Sequence, residues 1–311
     1  MVDIINFENV PVAWGIVYGG NAGAKEAVVF DDAVWMIKYP KTTRDLVNPQ
    51  ISYTTSPLSE YVGSKVYEIL DIPVHETMLG IRKNKIVVAC KDFTERKTTW
   101  LLPFHDLKNS FMSSDLESYS GTGSETLMDE VLDTIKGQAY LASIDGVAER
   151  FWDMFVVDAF IGNNDRNNGN WGLLLNQSKD EMSLAPVFDN GNAFFNKRSL
   201  AQMEKRINDP VSLANDAYKN SKCAYKYTGA DNEGHHINPF NYIEKTSDKD
   251  CKKAVLRFLD KIKMREIHAL IKSIPESIGN LGVMPEIQKK FYLRLMELRL
   301  EKLQEYSTNW G

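Results

Sequence analysis

The stretch FIGNNDRNNGNWGLLL at residues 160–175, followed by LAPVFDNGNAFF at residues 184–195, decides how this chain is interpreted. Asp165 and Asn170 lie five positions apart on a polar loop, between an apolar run of helical character and an apolar run of strand character. A second carboxylate, Asp189, follows the next apolar stretch. We expect the two acids and the amide to converge on one place. Because Asp and Asn are also ordinary turn formers, the loop by itself leaves a purely structural role open.

These side chains are the ones that phosphoryl transfer requires. A carboxylate orients the attacking hydroxyl group and accepts its proton, and the loop position assigns this role to Asp165. An amide oxygen and a second carboxylate hold a magnesium ion against the phosphates. The sequence therefore predicts Asp165 as the catalytic acid–base and Asn170 with Asp189 as the metal ligands.

The composition is that of an ordinary globular protein. The chain has 311 residues, 43% hydrophobic and 25% charged, which is enough for two lobes with separate cores. Its net charge of -5 argues against a broad polyphosphate-binding surface, so stable nucleic-acid binding is not expected. The three cysteines are widely spaced and predict reduced thiols. The N-terminus lacks a basic start, and no run approaches the roughly eighteen apolar residues of a membrane span, which predicts a bacterial cytoplasmic protein.

Short β runs separated by glycines dominate the N-terminal part of the chain. Strands of an antiparallel sheet are predicted at residues 12–18, 27–30 and 34–39. Ser56 and Pro57 predict the start of a helix, because apolar residues then recur on one face through LSEYVGSKVYEIL. Residues 76–93 have the pattern of a β-hairpin. Together these elements predict a small β-rich lobe with one helix at residues 1–93.

Helical periodicity dominates the rest of the chain. Helices are predicted at residues 125–144, 147–162, 252–274 and 285–306. Residues 109–125 are rich in Ser and Gly and predict a loop, whereas residues 206–250 are polar and irregular. The predicted fold class is therefore α+β, with a mostly helical second lobe at residues 94–311 that carries the Asp165 loop.

Three features of the N-terminal part complete a nucleotide-binding pattern. The loop GGNAGAKE can bring backbone N–H groups close to phosphate, although an ordinary hairpin turn has the same composition. Lys38 lies in the strand VWMIKYP, where it either finds an anionic partner or points to solvent. Glu60, at the start of the following helix, is the predicted partner and Glu68 the fallback, although the helix dipole alone favours an acid at Glu60. The order of these parts is that of a protein-kinase-like phosphotransferase.

The segments VWMIKYP, LSEYVGSKV, NDRNNGNW and VFDNG resemble those of the HipA-like serine/threonine kinases in order and spacing. The resemblance covers residues 12–195. It implies an enzyme that uses ATP and Mg²⁺ to phosphorylate protein hydroxyl groups, its own included. The ATP phosphates would lie at Ala22, Gly23, Ala24, Lys25, Glu26, Ala27 and Lys38, and the adenine at Lys91, Asp92 and Phe93. The resemblance also implies secretion and delivery into host cells.

Two positions depart from the family pattern. Asn167 lies where the family often has His, in a loop that also resembles that of the phosphoinositide kinases. Gly20 aligns with the regulatory serine of the family's phosphate loop, so we do not expect inactivation by phosphorylation there. Arg166 and Lys179 lie near the catalytic loop and are candidates for assisting with charge.

Two alternative functions remain open. The first is a phosphoinositide or small-molecule kinase, against which the acidic charge balance argues mildly. The second is a pseudokinase that binds ATP as an interaction module without transferring phosphate. Retention of the acidic residues and of Lys38 argues against the pseudokinase.

Overall fold

The computed structural model describes residues 1–19, 24–46, 49–94, 98–115, 123–228 and 234–310. The chain divides into two compact units. The first consists of Met1–Asp92, Asn190–Ala217 and Lys261–Arg299. The second consists of Phe93–Asp189, Tyr218–Asp260 and Leu300–Gly311. Each unit contains three separate segments of the chain, and the domains 1–93 and 94–311 remain a prediction.

The described residues form both strands and helices. The strands are β1 Ile5–Asn6, β2 Lys25–Phe30, β3 Ala33–Lys38, β4 Thr77–Arg82, β5 Lys85–Lys91, β6 Thr99–Pro103, β7 Gly172–Asn176, β8 Glu181–Leu184, β9 Ser277–Ile278 and β10 Leu281–Gly282. The helices are α1 Ser56–Ile69, α2 Phe104–Asp115, α3 Met128–Gly137, α4 Ala139–Ala142, α5 Val147–Ile161, α6 Leu200–Ile207, α7 Pro210–Ala214, α8 Pro239–Lys245, α9 Lys249–Lys261, α10 Met264–Ser273 and α11 Glu286–Thr308. A π-helical turn at Asn215–Lys219 follows α7.

The first unit is built on a five-stranded sheet with the strand order β1-β4-β5-β3-β2. All neighbouring strands are antiparallel except β1, which is parallel to β4. Gly80 permits this pairing, because a Cβ atom there would lie 2.4 Å from the Phe7 ring and 2.6 Å from the Ile5 carbonyl oxygen. One face of the sheet buries a cluster formed by Phe7, Val28, Trp35, Ile37, Tyr39, Val87 and Ala89. Helix α1 packs against β4 and β5.

The structure confirms most of the elements predicted in this unit. The helix predicted from Ser56 is α1, and the hairpin predicted at residues 76–93 is β4–β5. The predicted strand at residues 12–18 is wrong, because only Val12 pairs, in an isolated bridge to Val28. Trp14 and Val17 are 91% and 87% exposed, so the alternation of apolar residues there does not come from burial against a sheet.

The second unit is organised around α5. The Phe151 and Phe155 rings form edge and tilted contacts with Tyr225 and Tyr242, and Trp152 meets both phenylalanine rings edge-on and stacks on Tyr242. These buried aromatic rings explain why α5 is apolar over most of its surface. The three-stranded antiparallel sheet β6-β7-β8 belongs to the same unit.

Two segments that were predicted to be irregular contain helices. Helix α2 continues to Asp115, so residues 109–115 of the predicted loop are helical, and residues 116–122 of it lie outside the described residues. Residues 206–250 contain α7, the π-helical turn and α8. Polar residues there act as helix caps: Asp209 accepts from the N–H groups of Val211 and Ser212, and Asn238 caps α8 in the same way. Polarity in this region therefore marked helix starts rather than loops.

The predicted fold class is confirmed, because the N-terminal part is rich in strands and the larger remainder is mostly helical. Two of the predicted helical runs are each two helices. Residues 125–144 break at Gln138, which caps α4, and residues 252–274 break between α9 and α10. Among the described residues, no helix combines the length and the apolar character needed to cross a bilayer.

Candidate active site

The residues predicted for catalysis fall in both units, and each group is described within its own unit. In the first unit, Lys38 at the end of β3 and Glu60 on α1 form a buried ion pair. Lys38 Nζ lies 2.8 Å from Glu60 Oε2, and the two side chains are 11% and 1% exposed. The fallback residue Glu68 is 60% exposed and instead pairs with Lys65. The structure thus brings Lys38 and Glu60 together.

Charge and hydrogen bonding keep Glu60 ionised. Burial raises the pKa of this carboxyl, but the charge of Lys38 and a hydrogen bond from His75 outweigh it, so the pKa lies well below the usual value. Protonation of Glu60 therefore destabilises the folded state, and this loss of stability occurs only in acid, as the pH falls through the lowered pKa.

The other Glu60 oxygen belongs to a closed ring of buried hydrogen bonds. Glu60 Oε1 accepts from the Asn190 backbone N–H at 2.9 Å and lies 3.1 Å from His75 Nε2. Ser64 Oγ lies 3.2 Å from His75 Nε2 and accepts from Asn190 Nδ2 at 3.0 Å. Asn190 directly follows Asp189, the predicted metal ligand, in the chain. The ring therefore connects the residue next to Asp189 with Glu60, the partner of Lys38.

A metal ion is a poor occupant for this region. Glu60, His75 and Cys90 each have a potential ligand atom, and these atoms lie within 4.8 Å of one another. Both Glu60 oxygens, however, already accept hydrogen bonds, and the Lys38 ammonium 2.8 Å away would repel a cation. The cluster is therefore a hydrogen-bonding network rather than a metal centre.

The predicted phosphate loop is described only in part. Ala22, Gly23 and the regulatory position Gly20 lie outside the described residues. Lys25 pairs with Lys38 in the β2–β3 register, and its Nζ donates to the Gly19 carbonyl oxygen at 2.8 Å. This hydrogen bond joins the residues on the two sides of the loop.

The neighbouring residues of the predicted phosphate-binding segment differ in orientation. Glu26 is adjacent to Lys25 on β2 and so faces the opposite side of the sheet. Its carboxylate pairs with Arg82 and Lys83 and accepts from the Tyr39 hydroxyl. Of the described positions, Ala24 and Ala27 offer only backbone groups and a methyl group to a ligand.

The predicted adenine-binding residues have different surroundings. Lys91, at the end of β5, pairs with Glu76 at 2.8 Å on the exposed surface. Asp92 accepts a hydrogen bond from the Tyr18 hydroxyl at 2.8 Å. This bond connects the segment before the glycine loop to the residue that follows β5. Phe93 belongs to the second unit, where its ring lies 5.5 Å from that of Phe188.

In the second unit, the loop of Asp165 leaves α5 at Gly162, whose φ of 70° ends the helix. The Asp165 side chain is exposed, and its Oδ1 accepts from Asn167 Nδ2 at 3.2 Å. The backbone carbonyl of Asp165 accepts from Asn170 Nδ2 at 2.6 Å. This bond fixes the spacing of Asp165 and Asn170 and leaves the amide oxygen of Asn170 as the acceptor that a metal ion needs.

The buried side chain of Arg166 holds the loop in place. Its side chain is only 2% exposed and forms a bidentate pair with Asp158 on α5, at 2.8 and 3.2 Å. The same guanidinium donates to the carbonyl oxygens of Asn170 and Phe188. Arg166 thus links the helix before the loop to Asn170 and to Phe188, the residue before Asp189. The other charge candidate, Lys179, lies exposed in the turn between β7 and β8.

Asp189 has an unusual backbone conformation. Its φ is 62°, a left-handed geometry that Asp tolerates better than most residues. Hard carboxylate and amide oxygens are the ligands that Mg²⁺ prefers, so the donor set of Asn170 and Asp189 fits this ion. Both residues belong to the second unit. Arg166 donates to the carbonyl group of Asn170 and to that of Phe188, the residue before Asp189.

The sequence did not point to several residues of the site. His75, Ser64 and Asn190 carry the ring around Glu60, and Tyr18 holds Asp92. The one available signal was the position of Asn190 directly after Asp189. His75 and Tyr18 give no signal in the chain, because their partners lie far away in sequence.

The chain is similar to a characterised bacterial kinase. It is 33% identical over 286 residues to serine/threonine-protein kinase CtkA of Helicobacter pylori strain J99, which covers 92% of this chain and 82% of the relative. The crystal structure of a Helicobacter pylori proinflammatory kinase CtkA aligns with a TM-score of 0.86 at 31% identity, covering 99% of this chain and 97% of that chain. No protein-family model matches the chain.

A more distant structure was also found. HipA of Shewanella oneidensis, in a complex with HipB and operator DNA, aligns over 94% of this chain and 67% of that chain. Its TM-score of 0.48 and identity of 11% are too low to support any conclusion about fold or function.

Proposed function

The chain belongs to the family of CtkA serine/threonine-protein kinases, and on this premise we propose that it transfers the γ-phosphoryl group of ATP to protein hydroxyl groups, its own among them. The matches confirm the serine/threonine kinase activity and the kinase-like fold that the motifs predicted. Kinases of this kind use ATP and a divalent metal ion and act on proteins. Magnesium as that ion, and the residue roles given below, are parts of the proposal.

Lys38 neutralises phosphate charge, and Glu60 holds it in position. Its ammonium is a compact point charge on a flexible stem, so it needs a fixed anionic partner to stay in one place. Glu60 supplies that partner and is itself held by Asn190 and His75. Lys38 is thus oriented before a nucleotide binds, which lowers the cost of reorganisation during transfer.

Asp165 orients the acceptor hydroxyl group and takes its proton. Its exposed carboxylate is within reach of a bound substrate, whereas its backbone carbonyl accepts a hydrogen bond from Asn170, whose own carbonyl is bonded by Arg166. Asn170 and Asp189 would hold the magnesium ion, which neutralises charge on the phosphates when bound. Each of these residues therefore has a distinct task.

The buried Lys38–Glu60 ion pair is the observation that carries the proposal. A buried ion pair is weak evidence for stability, because removing two charges from water costs about as much as their attraction returns. A pair at this depth, with both oxygens of the acid bonded, is better explained by a functional requirement.

The test is a transfer assay with radiolabelled ATP, magnesium, a generic basic protein and phosphoinositide vesicles, followed by separation of protein and lipid products. We expect label on serine or threonine of the protein and of the enzyme, and a rate of labelling that is lower by about 100-fold or more with Asp165→Asn. Label confined to lipid would contradict the protein-kinase proposal, and nucleotide binding without any transfer would indicate a pseudokinase. Secretion and delivery into host cells belong to the same proposal and are tested by probing culture supernatants and exposed host cells for the chain.

A further inference from the structure

A basic cleft lies in the first unit, in the segment that follows Asp189. Its volume is about 360 Å³, and it is lined by Gln50, Arg198, Ala201, Gln202, Lys205 and Arg206. Three of these six residues are cationic and none is acidic, in a chain whose net charge is -5. None of the residues proposed for phosphoryl transfer lines this cleft.

The polar groups of the cleft lining are hydrogen-bond donors. The oxygens of the two glutamine amides face Ser199, which donates from its hydroxyl to Gln50 Oε1 at 3.2 Å and from its backbone N–H to Gln202 Oε1 at 2.9 Å. The described part of the chain accepts no hydrogen bond from the amide N–H groups of these two glutamines, which remain for a ligand. Lys205 is exposed and has no hydrogen-bonded or ionic partner in the described part of the chain. A lining of donors fits a ligand that consists of acceptors.

The two cleft arginines are held in place beforehand. Arg198 and Arg206 bond the same carboxylate oxygen, Oδ2 of Asp216 in the π-helical turn, at 2.5 and 2.9 Å. The Arg198 guanidinium also lies 4.0 Å from the centre of the Phe195 ring. Each arginine uses one N–H group for Asp216, and within the described ranges neither bonds another acceptor, so most of its five N–H groups remain.

The three cationic side chains of the cleft lining share a single carboxylate as ion-pair partner among the described residues. Arg198 and Arg206 both pair with Asp216, and Lys205 adds a further positive charge. An anion of charge about -2, such as a phosphate monoester, balances this excess better than a carboxylate does.

We propose that this cleft binds the phosphate monoester of a phosphorylated serine or threonine carried by a protein. Arg198 and Arg206 provide a fixed fork of donors, and Lys205 and the glutamine amides complete the contacts from the rim. The choice of a protein-borne ester rests on the proposed kinase function, because that reaction makes this group. A cleft that recognises it would favour substrates, or copies of the enzyme, that already carry a phosphate.

The experiment is calorimetric titration of the intact chain, without nucleotide, with a short alanine peptide that contains one phosphoserine. Matched peptides contain serine or glutamate at that position. We expect the phosphopeptide to bind at least about tenfold more tightly than either matched peptide, because serine and glutamate cannot form the charge-assisted hydrogen bonds that a phosphate dianion accepts. Since no nucleotide is present, failure to bind leaves the kinase proposal untouched.

The variants Lys205→Glu and Lys197→Glu form a matched pair. Both residues are exposed and close in sequence, and both changes alter the net charge equally, but only Lys205 lines the cleft. We expect Lys205→Glu to weaken phosphopeptide binding by about tenfold or more and Lys197→Glu by less than about twofold. Arg206→Gln is a second cleft variant, with the same expected loss.

Four results would overturn the proposal: no phosphopeptide binding at millimolar concentration, equal binding of the glutamate peptide, equal losses from the two lysine variants, or equally tight binding of free O-phosphoserine. Equally tight binding of free O-phosphoserine would show that the ligand need not be part of a protein. Equal losses from the two lysine variants would show that binding depends on the general surface charge and not on the cleft.

Discussion

At the scale of single residues, the surroundings of Glu60 matter most. Each of its two oxygens accepts a hydrogen bond, and its side chain is 1% exposed. An acid that merely favours the helix dipole would lie at the surface in the first turn and would need no such partners. Glu68, on the same helix, has the exposed position and the single lysine partner of an ordinary surface acid.

Glu60→Gln is therefore expected to lower the rate of transfer by about 100-fold or more, because Lys38 loses the charge that orients it. Steady-state kinetics with saturating ATP measures this loss. Glu68→Gln is the matched control, with the same chemical change two turns further along α1, and is expected to stay within about twofold of the wild type. A fully active Glu60→Gln enzyme would show that the ion pair is structural only.

Asp165 and Asp189 are expected to fail in different ways. Asp165→Asn removes the group that acts on the acceptor hydroxyl, so transfer should fall by about 100-fold or more while ATP affinity is unchanged. Asp189→Asn removes an anionic oxygen from the metal ion and should weaken magnesium-dependent ATP binding. Calorimetry with and without magnesium, combined with rate measurements, separates the two. Equal Mg-ATP affinity in wild type and Asp189→Asn would contradict the role of Asp189.

At the scale of elements, the catalytic loop is shaped by the side chain beneath it. Arg166 joins helix α5, through Asp158, to the carbonyl groups of Asn170 and Phe188. Sequence proximity had suggested that this arginine assists with charge at the loop, but its guanidinium is buried and bonds Asp158 and two backbone carbonyl groups. It positions the predicted metal ligands by holding their backbone.

Arg166→Ala is expected to destabilise the protein by about 3–5 kcal/mol, because it leaves the buried Asp158 carboxylate unpaired. Urea denaturation measures the loss as a lower midpoint with an unchanged slope. Lys253→Ala is the control, because it breaks an ion pair whose two side chains are 64% and 58% exposed, and it should cost less than about 1 kcal/mol. Equal effects of the two changes would show that Arg166 does not hold the loop.

At the scale of the whole molecule, the three cysteines lie at separate buried positions. Cys90 is on β5, Cys251 is on α9 and Cys223 is in the segment between the π-helical turn and α8. Burial raises the pKa of the Cys223 thiol to about 12 and raises that of Cys251 as well. These two thiols are therefore protonated at neutral pH and shielded from reagents.

The native protein is thus expected to resist alkylation by iodoacetamide at pH 8, whereas denaturation should expose all three thiols. Intact-protein mass spectrometry counts the modifications in each state. Rapid alkylation of the native protein at Cys223 or Cys251 would show that these thiols are accessible in solution and that their burial does not persist.

The sequence alone determined the fold class and the reaction class, and the order of the site residues remains a prediction from it. Helix α1, the β4–β5 hairpin and the Asp165 loop follow from periodicity and turn chemistry, which depend on neighbours within a few positions. The same local rules misassigned residues 12–18 and 206–250, where exposure and helix caps decide the structure.

Only the tertiary structure decided which acid pairs with Lys38 and what Arg166 does. The hydrogen bond from Asn190 to Glu60 joins residues 130 positions apart, and no local pattern encodes such a contact. Burial likewise decides the role of Arg166. Its sequence position suggested that its charge assists the reaction, but its buried side chain instead bonds Asp158 and holds the loop in place. Local sequence sets which conformations a segment prefers, but a buried charge is placed by whichever residues the fold brings around it.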